Sequence, residues 1–128
     1  MALVVLEPKD PTPIYAQLDR GLRAAIATGR LKIGDQLPTV RQLAVELQVN
    51  ANTVARVYAE LERAGVLETR RGVGSFVAAT MAKARPEEEK RRRLEAFATR
   101  MLADAAAAGF SLSDLVAVLE ARRQSADR

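Results

Sequence analysis

Three residues, Gln48-Val49-Asn50, separate two amphipathic patterns, and so short a connection leaves the chain few ways to fold. Before it, a helix is expected over Thr39–Leu47, with Leu43, Ala44 and Leu47 on its apolar stripe and Arg41, Gln42 and Glu46 on its polar side. After it, a helix is expected over Ala51–Ala64. At about 100° per residue, Val54, Val57, Tyr58 and Leu61 gather on one face of that helix, and Asn52, Arg56 and Arg63 on the opposite one. Two short amphipathic helices on so tight a turn are the pattern of a helix-turn-helix.

Asparagine is a poor residue inside a helix, yet Asn50 and Asn52 stand at the mouth of the second one. Asn50 is explained as an N-cap, its side-chain oxygen accepting from an orphan N–H of the first turn. Asn52 is not explained that way. It lies one turn before Arg56 and projects to the same side, with the small Ala55 and Ala59 nearby. Asn bonds adenine bidentately, and Arg bonds guanine or grips a phosphate. The alanines leave room for close approach, and the second helix of this motif contacts bases through its N-terminal residues. For a lone Asn or Arg a solvated surface is the plainer account; the preceding helix and turn favour DNA contact. Arg41, at the start of the first helix, stands beside a dipole end that attracts phosphate; pairing with an acidic neighbour is its alternative role.

Upstream, residues 1–12 form an expected extended arm with an apolar run, Leu3-Val4-Val5-Leu6, and spaced prolines. A helix is expected over Ile14–Thr28, where Ile14, Leu18, Leu22, Ala25 and Ile26 recur at three- and four-residue spacing and Gly29 provides a stop. Leu31–Pro38 is a connecting loop. Downstream, Val66–Thr69 and Ser75–Val77 are β-prone segments around Arg70-Arg71-Gly72-Val73-Gly74, a hairpin with a basic tip. Such a wing approaches a groove or backbone; alternatively its glycines merely satisfy turn dihedrals.

Residues 80–86 are an expected linker, and 87–128 an expected two-helix region. The first of these helices starts near Pro86, with Glu87-Glu88-Glu89 on its positive end and able to pair with Arg91, Arg92 and Arg93. Leu94, Ala98, Met101, Ala105 and Ala108 form a coiled-coil-like seam flanked by Phe97 and Leu102. After Gly109, Ser111 is an expected N-cap with Asp114 as its capping-box acid, Phe110 stapling against Leu115. The last helix is expected over Leu112–Arg123. Leu94, Phe97, Met101, Leu102, Leu112, Leu115 and Leu119 are more apolar area than two isolated helices can cover, so a second copy is expected on them. Folding back on the preceding domain is the alternative.

Composition removes most other functions. The 128 residues suit one domain with an appendage, and 48% hydrophobic with 28% charged suits a chain that buries a core and stays in water. There is no Cys and no His, so disulfides, the usual zinc sites, His-based acid–base chemistry and Ser-His-Asp triads each lack a part. No enzyme, metal or cofactor is expected. The net charge of +4 divides evenly, ten basic residues against eight acidic ones on either side of position 80. Charge alone is therefore weak evidence for nucleic acid, and placement decides. No run reaches the length of a membrane span and no secretory leader is visible, so a cytoplasmic location is expected.

Pro13-Ile14-Tyr15, Gly29-Arg30-Leu31, Leu37-Pro38-Thr39-Val40-Arg41, Thr53-Val54, Gly65 and Gly72-Val73-Gly74-Ser75-Phe76-Val77 fall in a recurring order and spacing. Residues 13–77 resemble the N-terminal winged helix-turn-helix domain of the GntR family of bacterial transcription regulators, and look most like its YtrA-type subfamily. Ala51 stands where that subfamily carries proline, and Gln48 where a glycine is common at the turn. The resemblance implies DNA contact by Arg41, Asn52, Thr53, Arg56 and Gly72, with Asn50 capping close to phosphate; Arg70, Arg71 and Gly74 extend that set along the wing. It also implies a short dimerising tail in place of an effector domain. The expected fold is mainly α with a small β-hairpin, a winged helix-turn-helix domain over 13–79 followed by the two-helix dimerisation tail. The expected function is a homodimeric repressor on a palindromic operator in double-stranded DNA, with no membrane partner and no visible effector site. A winged-helix interaction module that does not read DNA is the alternative.

Overall fold

Helices form where apolar residues recur at three- and four-residue spacing. In the computed structural model, which describes residues 3–79 and 87–126, α1 spans Ile14–Ala27, α2 Val40–Leu47 and α3 Ala51–Arg63. Strands β1 (Leu67–Arg70) and β2 (Gly74–Val77) follow, then α4 (Glu87–Ala107) and α5 (Leu112–Ala126). The linker expected at 80–86, with Pro86 as a helix start, lies outside the described residues. The chain divides into two compact units, Met1–Ala82 and Lys83–Arg128.

The core of the first unit is apolar throughout. Leu18, Leu22 and Ala25 of α1, Leu43 and Ala44 of α2, and Val54, Val57, Tyr58 and Leu61 of α3 pack with Leu67 and Val77 of the strands. Burying each Leu or Val contributes about 1.5–3 kcal/mol. The segment expected to be an extended arm joins this core: Val4 is 3% exposed. A Cβ on Gly21 would sit 2.5 Å from Val4 Cγ1, so the missing side chain in α1 makes room for the arm. Gln17 holds the segment down, accepting from the Glu7 N–H (2.8 Å) and donating to the carbonyls of Glu7 (3.1 Å) and Thr12 (2.9 Å).

Three helices close through the same pair of hydrogen bonds. After α3, the Gly65 N–H donates to Glu62 O and the Val66 N–H to Leu61 O; after α4, Gly109 and Phe110 do so to Ala106 and Ala105. After α2, the pair runs from Gln48 to Val45 O (3.3 Å) and from Val49 to Ala44 O (3.0 Å). This closure needs a left-handed residue, usually glycine. Gln48 fills the place with φ 57° and ψ 45°, the only non-glycine with positive φ among the described residues.

The hairpin is antiparallel, with Leu67 opposite Val77 and Arg70 opposite Gly74. Arg70 and Gly74, expected at the tip, are therefore strand residues, and the turn is Arg71-Gly72-Val73, closed by the Val73 N–H donating to Arg70 O (2.9 Å). The loop before α2 adds a third edge. Gly34 donates to Val77 O, Val77 to Asp35 O, and Leu37 to Ser75 O.

In the second unit, Glu87, Glu88 and Glu89 lie on the positive end of α4, and Glu89 pairs with Arg93 at 3.9 Å. Ser111 and Asp114 form the expected box: the Ser111 N–H donates to Asp114 Oδ2 (2.8 Å), and the Asp114 N–H to Ser111 Oγ (3.1 Å). α5 runs past Arg123 to Ala126. On α4, Ala105 is buried and Ala98 and Met101 are half-buried, while Leu94, Phe97 and Leu102 are exposed. No residue of α5 is buried; Leu115 is half-buried, and Leu112, Val116 and Leu119 are exposed. Among the described residues no single helix is long and apolar enough to cross a membrane.

Candidate nucleic-acid interface

The mouth of α3 is built by local bonds. Asn50 is extended (φ −65°, ψ 131°), and its Oδ1 accepts from the Asn52 N–H at 2.8 Å. The cap employs the backbone of Asn52 and leaves its side chain exposed, without a hydrogen bond among the described residues. Thr53 is half-buried, turned partly toward the core. Ala51, Ala55, Ala59 and Arg63 are exposed, as the helical arc requires with Val54, Val57, Tyr58 and Leu61 buried.

Arg56 is exposed yet held. Its Nε donates to Glu60 Oε1 at 3.4 Å, one turn on. Its guanidinium carbon lies 4.4 Å from the centroid of the Tyr15 ring, at the start of α1. Tyr15 itself is 39% exposed. An arginine over an aromatic face is attracted by the ring quadrupole, by about 0.5–1 kcal/mol at exposed sites.

The start of α2 carries a capping box that sequence inspection placed inside the helix. Thr39 Oγ1 accepts from the Gln42 N–H (3.1 Å), and Gln42 Oε1 from the Thr39 N–H (2.8 Å). Arg41 projects from this first turn, exposed and without an ion pair among the described residues. Tyr58 ties α3 to the segment entering α2: its hydroxyl donates to Pro38 O at 2.8 Å. Burial, reinforced by the negative charge of Glu46, pushes the phenol pKa well up, so the hydroxyl stays protonated and keeps donating.

On the wing, the basic residues differ in how committed they are. Arg70 pairs with Glu68 at 3.0 Å and lies 4.1 Å over the Phe76 ring. Arg71, in the turn, is exposed and has no ion pair among the described residues. Gly72 has φ 77° with open space around it, so the turn dihedral accounts for it. Gly74 has φ 143°, and a Cβ there would meet Gln36 Nε2 at 2.6 Å. That nitrogen donates to Val73 O at 2.9 Å, fastening the hairpin tip to the loop before α2. Packing against Gln36 thus explains Gly74 without a ligand.

Arg41, Asn50, Asn52, Thr53 and Arg56 therefore sit on the α2–α3 pair, and Arg70, Arg71, Gly72 and Gly74 on the hairpin. Leu94, Phe97, Met101, Leu102, Leu112, Leu115 and Leu119 belong to the second unit. Among the described residues no cluster of His, Cys, Asp or Glu suits a metal ion. Sequence inspection missed Tyr15, Glu60 and Gln36. Glu60 carried a signal, its i,i+4 spacing from Arg56; Tyr15 and Gln36 act across the fold and carried none.

The family profile of the bacterial regulatory proteins of the gntR family matches residues 14–77. The HTH-type transcriptional repressor YtrA of Bacillus subtilis (strain 168) is 36% identical over 113 residues, 88% of this chain and 86% of that protein. Among solved structures, YtrA from Sulfolobus acidocaldarius, a GntR-family transcription factor, matches with a TM-score of 0.59 at 30% identity, over 80% of this chain and 99% of that one. The DNA-binding domain of AraR in complex with operator ORX1 matches with a TM-score of 0.53 at 25% identity, over 61% of this chain and 96% of that one.

Proposed function

This chain belongs to the GntR family of bacterial regulatory proteins, in its YtrA-like branch, and from that membership we propose that it is a cytoplasmic repressor that binds a palindromic operator as a homodimer. It is a DNA-binding transcription regulator on a winged helix-turn-helix fold, not an enzyme. A winged-helix module that does not read DNA is disfavoured by the operator-bound relative.

In the proposed complex, α3 enters the major groove and offers Asn52 and Arg56 to base edges, with Thr53 beside them. Arg41, Asn50 and the wing residues Arg70 and Arg71 face the backbone, with Gly72 and Gly74 shaping the tip that presents them. Leu94, Phe97, Met101, Leu102, Leu112, Leu115 and Leu119 meet a second copy. The observation that carries the assignment is the division of α3, whose buried arc leaves Asn52 and Arg56 together on the open side of its first turns.

Binding measured against salt on a selected and a scrambled duplex tests the roles. Arg56→Ala is expected to cost about 1–3 kcal/mol on the selected duplex only. Arg71→Ala should weaken both duplexes alike and lower the salt slope by roughly 1. Arg70→Ala should change binding less than Arg71→Ala, because Arg70 already has Glu68 and Phe76 as partners. Equal losses on both duplexes for Arg56→Ala would contradict base reading.

A further inference from the structure

We propose that Tyr15 determines specificity by positioning Arg56, stacking beneath its guanidinium so that the terminal nitrogens face the DNA. The inference rests on the base-reading role proposed above for Arg56.

Three observations lead to it. The Tyr15 ring lies 4.4 Å from the guanidinium carbon. Glu60 takes only Nε, leaving both terminal nitrogens without a hydrogen bond among the described residues. Tyr15 and Arg56 both remain open to solvent, at 39% and, for the arginine side chain, 59% exposure, so the stack stands at the surface where a duplex would lie.

The physical consequence is preorganisation. A free arginine carries about 2 kcal/mol of rotamer entropy, and ordering it on binding opposes affinity. A ring 4.4 Å from the guanidinium carbon restrains the side chain while both terminal nitrogens stay without a hydrogen bond among the described residues. With Nε held by Glu60, the terminal edge suits the paired acceptors O6 and N7 of guanine. A phosphate grip needs charge and little orientation, so losing the stack should affect sequence reading more than general affinity.

The test uses a duplex that the wild-type chain selects from a random-sequence pool, and a scrambled duplex of the same length and composition. Tyr15→Leu should weaken the selected duplex by roughly two- to fivefold, the value of an exposed cation–π contact, and leave the scrambled one unchanged. Tyr15→Phe should retain wild-type discrimination. In an Arg56→Ala background, Tyr15→Leu should have no further effect. Glu60→Ala supplies a readout that leaves Tyr15 intact: removing the acceptor of Nε and adding net charge should tighten the scrambled duplex and reduce discrimination. Tyr15→Leu losses that are equal on both duplexes, or that persist without Arg56, would overturn the positioning role, as would unchanged discrimination in Glu60→Ala. If Arg56→Ala keeps full discrimination, or if selection enriches no sequence, the base-reading role itself fails and this inference with it; loss in Arg56→Ala but not in Tyr15→Leu removes the inference alone.

Discussion

Gln48 shows how one residue can hold a strained place because its neighbours gain from it. A left-handed conformation costs a residue with a Cβ about 1–2 kcal/mol. The turn keeps it because the bend brings the Val49 N–H back onto Ala44 O while the Gln48 N–H reaches Val45 O, closing the helix end. Gln48→Gly is therefore expected to raise the urea midpoint, by about 1 kcal/mol of stability less some unfolded-state entropy. A lower midpoint would mean that the glutamine side chain contributes something the geometry does not display. At the same scale, the cap of Asn50 was legible because its bond spans two residues. The setting of Arg56 was only half legible: Glu60 is one turn away, whereas Tyr15 reaches it through the packing of α1 on α3.

Among the elements, α5 has the helix start most open to direct test. The Asp114 carboxylate accepts from the Ser111 N–H in the folded chain, and this bond holds its pKa below the ordinary carboxylate value. A depressed folded pKa means that the cap is fully present above about pH 4 and is lost as pH falls through the lower folded value. Protection of the Ser111 amide, its exchange rate taken relative to the intrinsic rate at each pH, should therefore fall on acidification, and Asp114→Asn should abolish that step. An unchanged profile in the variant would show that another group is responsible. The hairpin was placed correctly from its β-prone runs, but the further edge along it was not foreseen. Gly34–Leu37 supplies an edge along β2, which a loop rich in turn residues does not announce. The docking of the expected arm was missed for a related reason: its anchor is the absence of a side chain at Gly21, which carries meaning only once Val4 lies over it.

For the whole molecule, the two units differ in how well each covers its own apolar surface. The first packs Leu18, Leu22, Leu43, Val54, Val57 and Leu61 into one fully buried core, whereas Leu94, Phe97 and Leu119 in the second are 59%, 56% and 51% exposed. In the proposed homodimer a second copy covers this surface and places two copies of α3 on one duplex. Phe97→Glu with Leu119→Glu is expected to give monomers in sedimentation. Affinity for a two-half-site duplex should then fall by about 10²–10⁴, the usual advantage of bivalency, with single half-site binding unchanged. A variant that still sediments as a dimer would place the interface elsewhere.

Helix phases, the caps at Asn50 and Ser111 and the exposed pair Asn52 and Arg56 were readable from residue order alone, because helix bonds and faces link residues at most a turn or two apart. The company those residues keep was not readable. Tyr15 under Arg56, Gln36 against the hairpin tip and Val4 over Gly21 join parts of the chain that meet only when apolar faces pack, and their geometry follows from that packing rather than from any spacing along the backbone.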